Sequence, residues 1–147
     1  MSSTHTSLHI HIVFGTKYHE PHIDREWRLR LHSWLGGAFR TADTVPHEIG
    51  GVADHVHCLV GFTPNHRIAD LLRDVKSNSS RWVREAIGLQ QFGWQDGYGA
   101  FTVSASRCDS VRRYIRNQEE HHRTVTFREE YIELLKLSGV EYDPHFV

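Results

Sequence analysis

Asp54-His55-Val56-His57-Cys58-Leu59-Val60 sets two imidazoles on either side of one apolar residue, in a run with strand character. Side chains alternate across a strand, so His55 and His57 share one face while Val56 and Cys58 occupy the other. Two imidazoles side by side on rigid backbone form a ready pair of metal ligands. The pair alone is a weak signal, because the chain holds 13 histidines in 147 residues and His9-Ile10-His11 repeats the spacing. It needs a partner group to gain meaning. One lies in Val111-Arg112-Arg113-Tyr114-Ile115-Arg116-Asn117-Gln118. At about 100° per residue, Tyr114 and Gln118 fall on one side of a helix, beside the apolar Val111 and Ile115. That side presents a phenol and a carboxamide together at the edge of a buried face, where a helix packed on the sheet could aim them at His55 and His57. The plainer reading makes Tyr114 a core aromatic and Gln118 its solvent-side neighbour, and spacing alone does not decide between them.

The elements that must position these groups follow from periodicity. Leu8, Ile10, Ile12 and Phe14 alternate with His9, His11 and Val13, giving a half-buried strand that ends at Gly15. Asp24 is placed to cap a helix carrying Trp27, Leu31, Trp34, Leu35 and Phe39 at helical spacing. Gly36 and Gly37 fall inside it and predict close packing on a sheet. Pro46 and Gly50-Gly51 bracket a short strand around His47 to Ile49, which forms a hairpin with the His55 strand ending near Phe62. After Pro64, Ile68, Leu71, Leu72, Val75, Trp82 and Val83 mark a second helix, and a fourth strand is predicted between Ala100 and Ala105. Two more helices follow, with capping-box spacings at Ser106/Asp109 and Thr126/Glu129, the second stopping at Gly139. The order β-α-β-β-α-β predicts an α+β, ferredoxin-like fold (split βαβ, RRM-like). Its antiparallel sheet has helices on one face, and a tyrosine-bearing helix and a final helix are added.

Length and composition bound the rest. A chain of 147 residues predicts a single domain spanning 1–147. No apolar run is long enough for a membrane span, and the N-terminal residues lack a basic stretch followed by an apolar one, so a cytoplasmic protein is expected. Cys58 and Cys108 fit neither a disulfide framework nor a metal spacing and read as incidental thiols. The net charge is −1, but residues 66–128 carry a net +4 and residues 129–147 a net −4. A basic middle beside an acidic tail hints at one polyanion-facing surface.

Several further segments join the two histidines and the tyrosine in one order. They are His9-Ile10-His11-Ile12-Val13-Phe14, Gly50-Gly51-Val52-Ala53-Asp54-His55-Val56-His57, Lys76-Ser77-Asn78-Ser79-Ser80-Arg81-Trp82, Trp94-Gln95-Asp96-Gly97-Tyr98-Gly99-Ala100-Phe101 and Tyr114-Ile115-Arg116-Asn117-Gln118-Glu119-Glu120-His121-His122. With these segments the chain resembles, from about Leu8 to Tyr142, the single-tyrosine HUH transposases of small insertion sequences (insertion sequence 200/605-like). The resemblance implies an enzyme that cleaves and rejoins single-stranded DNA at element ends, recognised through hairpins, by way of a 5′-phosphotyrosine intermediate. By motif position Tyr114 is the nucleophile, and His55, His57 and Gln118 hold a divalent metal ion, Mg or Mn. Two imidazoles favour a transition metal, whereas Mg²⁺ prefers oxygen ligands, so Mn²⁺ satisfies both arguments best. The resemblance also implies a homodimer, with the first strand or its neighbour pairing across subunits. Lys76, Arg81 and Arg84 are expected at the DNA phosphates, and Trp82 in the core. His9 and His11 are read as structural, and His121 and His122 as structural or solvent-facing. Two rivals stand beside this reading. One is a domesticated protein that binds hairpin or single-stranded DNA without cutting. The other is a zinc hydrolase, which lacks a downstream Asp-His pair here.

Overall fold

The computed structural model describes residues 3–147. Its centre is an antiparallel sheet of four strands, β1 (Leu8–Gly15), β2 (Val45–Val52), β3 (His55–Phe62) and β4 (Gly99–Val103), in the order β2-β3-β1-β4. Helices α1 (Arg25–Thr41) and α2 (Ile68–Trp82) connect them, and α3 (Cys108–Arg116), α4 (Gln118–His121) and α5 (Phe127–Leu137) follow β4. The α+β class and the split βαβ order therefore stand as the alternation of the sequence predicts.

The two faces of the sheet do different work. Ile12 and Phe14 of β1 and Val56, Cys58 and Val60 of β3 pack under Trp27, Leu31, Leu35 and Phe39 of α1 and Leu71, Leu72 and Val75 of α2. This is the main apolar core, and its burial supplies most of the drive to fold. The opposite face carries Val13, His55 and His57, and Phe127, Tyr131 and Leu135 of α5 close over Val13. The pairing Val13↔His57 and Gly15↔His55 puts the two histidines beside the end of the central strand β1.

Several local expectations change. β2 extends beyond His47–Ile49 to include Pro46 and both glycines. It is an edge strand with an irregularity between Pro46 and Glu48, the setting in which a strand tolerates proline. Gly50 is needed for another reason: a Cβ there would lie 2.5 Å from the carbonyl oxygen of Ile115, so its absence lets α3 settle onto β2. Gly36 and Gly37 do not mediate packing on the sheet. A Cβ at Gly36 would meet only Arg40 of its own helix and one at Gly37 nothing, because α1 faces the sheet through Trp27, Leu31, Leu35 and Phe39. Ser106 does not cap α3: it lies in a 3-10 turn, Ala105–Arg107, and the helix starts after it without a side-chain cap. At α5 the capping box forms, with the Glu129 N–H donating to Thr126 Oγ1 (3.1 Å) and the Thr126 N–H to Glu129 Oε1 (3.2 Å). Gly139 follows with φ 69°, the left-handed conformation that glycine supplies at a helix end. Among the described residues, no helix is long and apolar enough to cross a membrane.

Candidate metal centre and its tyrosine

His55 and His57 sit at the start of β3 and are fully buried. Val56 and Cys58 between and beyond them lock the strand into the main core, so the imidazoles have one direction left, toward the layer made by α3, α4 and α5. That layer brings Tyr114, Gln118, His122 and Glu130 onto them. His57 Nε2 lies 2.9 Å from Glu130 Oε1, and His55 Nε2 lies 3.2 Å from the same oxygen and 2.9 Å from Gln118 Oε1. His122 Nε2 lies 2.9 Å from Gln118 Oε1 and 3.0 Å from Glu130 Oε1. The other carboxylate oxygen, Glu130 Oε2, accepts from the Gln118 amide (3.0 Å) and from the Tyr114 hydroxyl. One potential ligand atom from each of His55, His57, His122 and Glu130 lies within 4.8 Å of all the others.

The far side of each imidazole is held as a metal ligand requires. His55 Nδ1 faces Asp54 Oδ1 at 2.7 Å, and His122 Nδ1 faces the Val125 carbonyl at 2.6 Å. Both partners only accept, so both Nδ1 atoms carry a proton and both Nε2 atoms are aimed at Glu130 and Gln118. His57 Nδ1 bonds His11 Nε2 at 2.8 Å. The Gln118 amide is oriented by its donation to Glu130, which turns its oxygen to the imidazoles. Electron-pair donors thus converge on one buried point, an arrangement satisfied by a cation or by extra protons. Outer partners of this kind fix ring orientation and raise ligand basicity. The donor set fits a divalent metal ion.

The titration behaviour follows. Burial alone would lower the His55 pKa, but Asp54 and Glu130 outweigh it and raise it to about 9. For His57 burial wins over Glu130, and its pKa falls to about 4. Burial likewise takes His11 down to about 3, helped by His57. Burial opposes the charge of Glu130, yet bonds from His122, His55 and His57 hold its carboxyl well below the usual carboxylate range. Tyr114 is pushed well above the usual phenol value by burial and then by the Glu130 carboxylate it bonds.

The four residues singled out for chemistry, His55, His57, Tyr114 and Gln118, therefore meet in one place. They do so on different backbone than a single helix would provide: α3 ends at Arg116, Asn117 (φ −95°, ψ 19°) breaks the path, and Gln118 opens α4. Reading His122 as structural or solvent-facing is corrected, since His122 points into the cluster, whereas His11 is structural as expected and buttresses His57. His122 continues the four-residue step Tyr114, Gln118, His122, a signal the sequence did hold. Glu130 had none, because it follows a capping box and reads as an ordinary first-turn acid.

The basic candidates lie elsewhere. Lys76 Nζ donates to the carbonyls of Gln95 (2.7 Å) and Gly97 (2.6 Å), tying α2 to the segment before β4, and burial lowers its pKa. Arg81 is exposed and bonds Asn78 (2.8 Å), while Arg84 donates to the Phe92 carbonyl (3.1 Å). Trp82 is half-buried, stacked against Trp34 at 6.1 Å between ring centres.

Comparison with known proteins places the fold. No curated protein matches the chain. Among solved structures, a candidate transposase from Deinococcus radiodurans R1 is 27% identical with a TM-score of 0.67, over 80% of this chain and 95% of that one. A REP-associated tyrosine transposase bound to a REP hairpin is 14% identical and shares the fold, with a TM-score of 0.61 over 85% of this chain and 76% of that one. The family model for IS200-like transposases matches residues 4–118, and the chain belongs to that family.

Proposed function

We propose that this transposase cuts and rejoins single-stranded DNA through a covalent bond to Tyr114. The observation that carries the reading is Glu130, whose one carboxylate bridges the Tyr114 hydroxyl and the imidazoles of His55, His57 and His122. Nucleophile and metal cradle are thereby linked by a single side chain. In the step we propose, Tyr114 Oη bonds to phosphorus and the bond from phosphorus to the 3′-oxygen breaks. The phenol proton is given up to solvent, and the departing 3′-oxygen takes one from water. One phosphodiester replaces another, so the energy of the broken bond is kept for rejoining without ATP.

His55, His57 and Gln118, with His122 and Glu130, would hold a divalent metal ion, Mg or Mn. Bound there, it would neutralise charge developing on the phosphate and offset the carboxylate that otherwise opposes the phenolate. A donor set with three imidazoles favours Mn²⁺ over Mg²⁺. Tyr114 lies against its own chain's cluster, its ring 5.7 Å from that of His57, which supports cleavage within one subunit.

Hairpin DNA is the ligand named for the REP-associated relative, and we extend it to this chain as substrate. Phosphate contact is best supported for Arg81, which is exposed; Arg84 and Lys76 would take part through what they leave free beyond their carbonyl bonds. In the homodimer we propose, pairing across subunits falls to β4, since β1 is flanked by β3 and β4 and has no open edge. The test is incubation of the purified chain with Mn²⁺ and single-stranded DNA from the element's ends. A covalent protein-DNA adduct that disappears in Tyr114→Phe is expected; specific hairpin binding with no adduct under any metal would favour a non-cleaving binding protein.

A further inference from the structure

The turn that leads out of β1 holds Tyr18 and His19 in the left-handed region, at φ 58° and 56°. Two consecutive non-glycine residues there are costly, and such backbone persists only where its surroundings over-determine it. The surroundings do so here. The Thr16 N–H donates to the Asp54 carbonyl (2.8 Å), the Thr16 hydroxyl donates to the Glu20 carbonyl (2.7 Å), and the Lys17 N–H donates to the Gly93 carbonyl (2.9 Å). Asp54 is the residue whose side chain orients His55, so the turn and the metal ligand share one anchor.

The strained turn sends its two rings in opposite directions. His19 turns inward, 5.0 Å from the ring of Phe127, which itself stacks on His55 at 4.1 Å. Tyr18 turns outward and is 83% exposed, with Lys17 Nζ 5.7 Å from its ring centre. Tyr18 thus adds nothing to either core, although its backbone is held in an unfavourable conformation next to the ring ladder that reaches the cluster. The ammonium lies over one face of the exposed ring and leaves the other face open, so the pair has the chemistry that a nucleotide requires, a surface for the base and a cation for its phosphate.

We propose that Tyr18 is a stacking platform that seats one base of single-stranded DNA at the turn leading out of β1, with Lys17 meeting the adjoining phosphate. This rests on the DNA-cleaving reading above and adds to it a residue that positions the strand. Stacking of this kind is tolerant of sequence, so the platform sets where the strand lies and leaves recognition to other contacts.

The test uses the full-length chain with a single-stranded oligodeoxythymidine of about 20 nucleotides carrying iododeoxyuridine, a span that covers several stacked bases. After irradiation, mass spectrometry is expected to find the label on the peptide containing Tyr18. Tyr18→Ala and Tyr18→Gly are expected to weaken binding about tenfold and Tyr18→Phe to bind like the wild type, as loss and retention of one stacked base predict. The glycine variant relieves the backbone, so weak binding in it traces to the ring. Wild-type affinity in Tyr18→Ala, or label found only on other peptides, would overturn the platform and leave the DNA reading standing. Failure of the wild-type chain to bind the probe would likewise overturn the platform, while adduct formation on element-end DNA tests the DNA-cleaving reading separately.

Discussion

The Tyr114 hydroxyl donates its hydrogen bond to Oε2 of Glu130, a residue sixteen positions away on another helix. The other oxygen of that carboxylate faces His55, His57 and His122, so one charge joins the proposed cation site to the proposed nucleophile. A lone carboxylate beside a phenol opposes ionisation, and burial adds to that effect. The arrangement is productive only when the carboxylate charge is shared with a cation.

Glu130→Gln keeps the shape of the side chain and removes its charge. Titration calorimetry with Mn²⁺ is expected to show at least a tenfold loss of affinity, about 1.4 kcal/mol, because a buried anionic donor is gone. Unchanged affinity would mean that Glu130 lies outside the metal's reach.

Asp54 acts one layer further out, through its 2.7 Å contact with His55 Nδ1. Asp54→Ala frees the ring and its tautomer, and a loss of Mn²⁺ affinity of roughly 10–100-fold is expected. The measurement is the same titration, with circular dichroism confirming that the fold is retained.

Gly50→Ala tests how α3 is seated. The added Cβ would meet the Ile115 carbonyl oxygen at 2.5 Å, a contact that backbone must move to relieve. Overpacking of this kind costs about 1–3 kcal/mol, so the melting temperature should fall by several degrees. Because α3 carries Tyr114, adduct formation should fall further than stability does.

His32 gives the acid sensitivity of the fold a local source. Its Nε2 is buried without a hydrogen-bond partner, and burial, aided by Arg28, lowers its pKa to about 4. The folded value lies below the unfolded one, so the neutral ring's contribution is complete above about pH 6.5 and is lost as pH falls toward about 4. Denaturant melts of His32→Leu and wild type should diverge across that window by up to about 1.4 kcal/mol per pH unit. Parallel curves would remove His32 from the account.

Much of this arrangement was legible in the chain because short-range patterns carried it. The alternation in β1 and β3 fixed which face His55 and His57 would share, and the Thr126/Glu129 spacing fixed where α5 begins. The four-residue step from Tyr114 to Gln118 survived even the break at Asn117. What escaped depended on tertiary packing. Glu130 reaches the cluster only because Phe127 docks on His55, a contact permitted by the lack of a side chain at Gly15, where a Cβ would lie 2.5 Å from the Phe127 ring. Lys76 reads as a free surface cation until the carbonyls of Gln95 and Gly97 are seen to enclose it.

Tyr114 itself is expected to become bonded to DNA. Digestion of the protein after reaction with Mn²⁺ and single-stranded DNA from the element's ends, followed by mass spectrometry, reads that bond directly. A phosphodiester-linked nucleotide is expected on the peptide containing Tyr114, attached through its 5′-phosphate, with no such species in Tyr114→Phe. DNA cut with no covalent species, or an adduct mapped to another residue and retained in Tyr114→Phe, would contradict it.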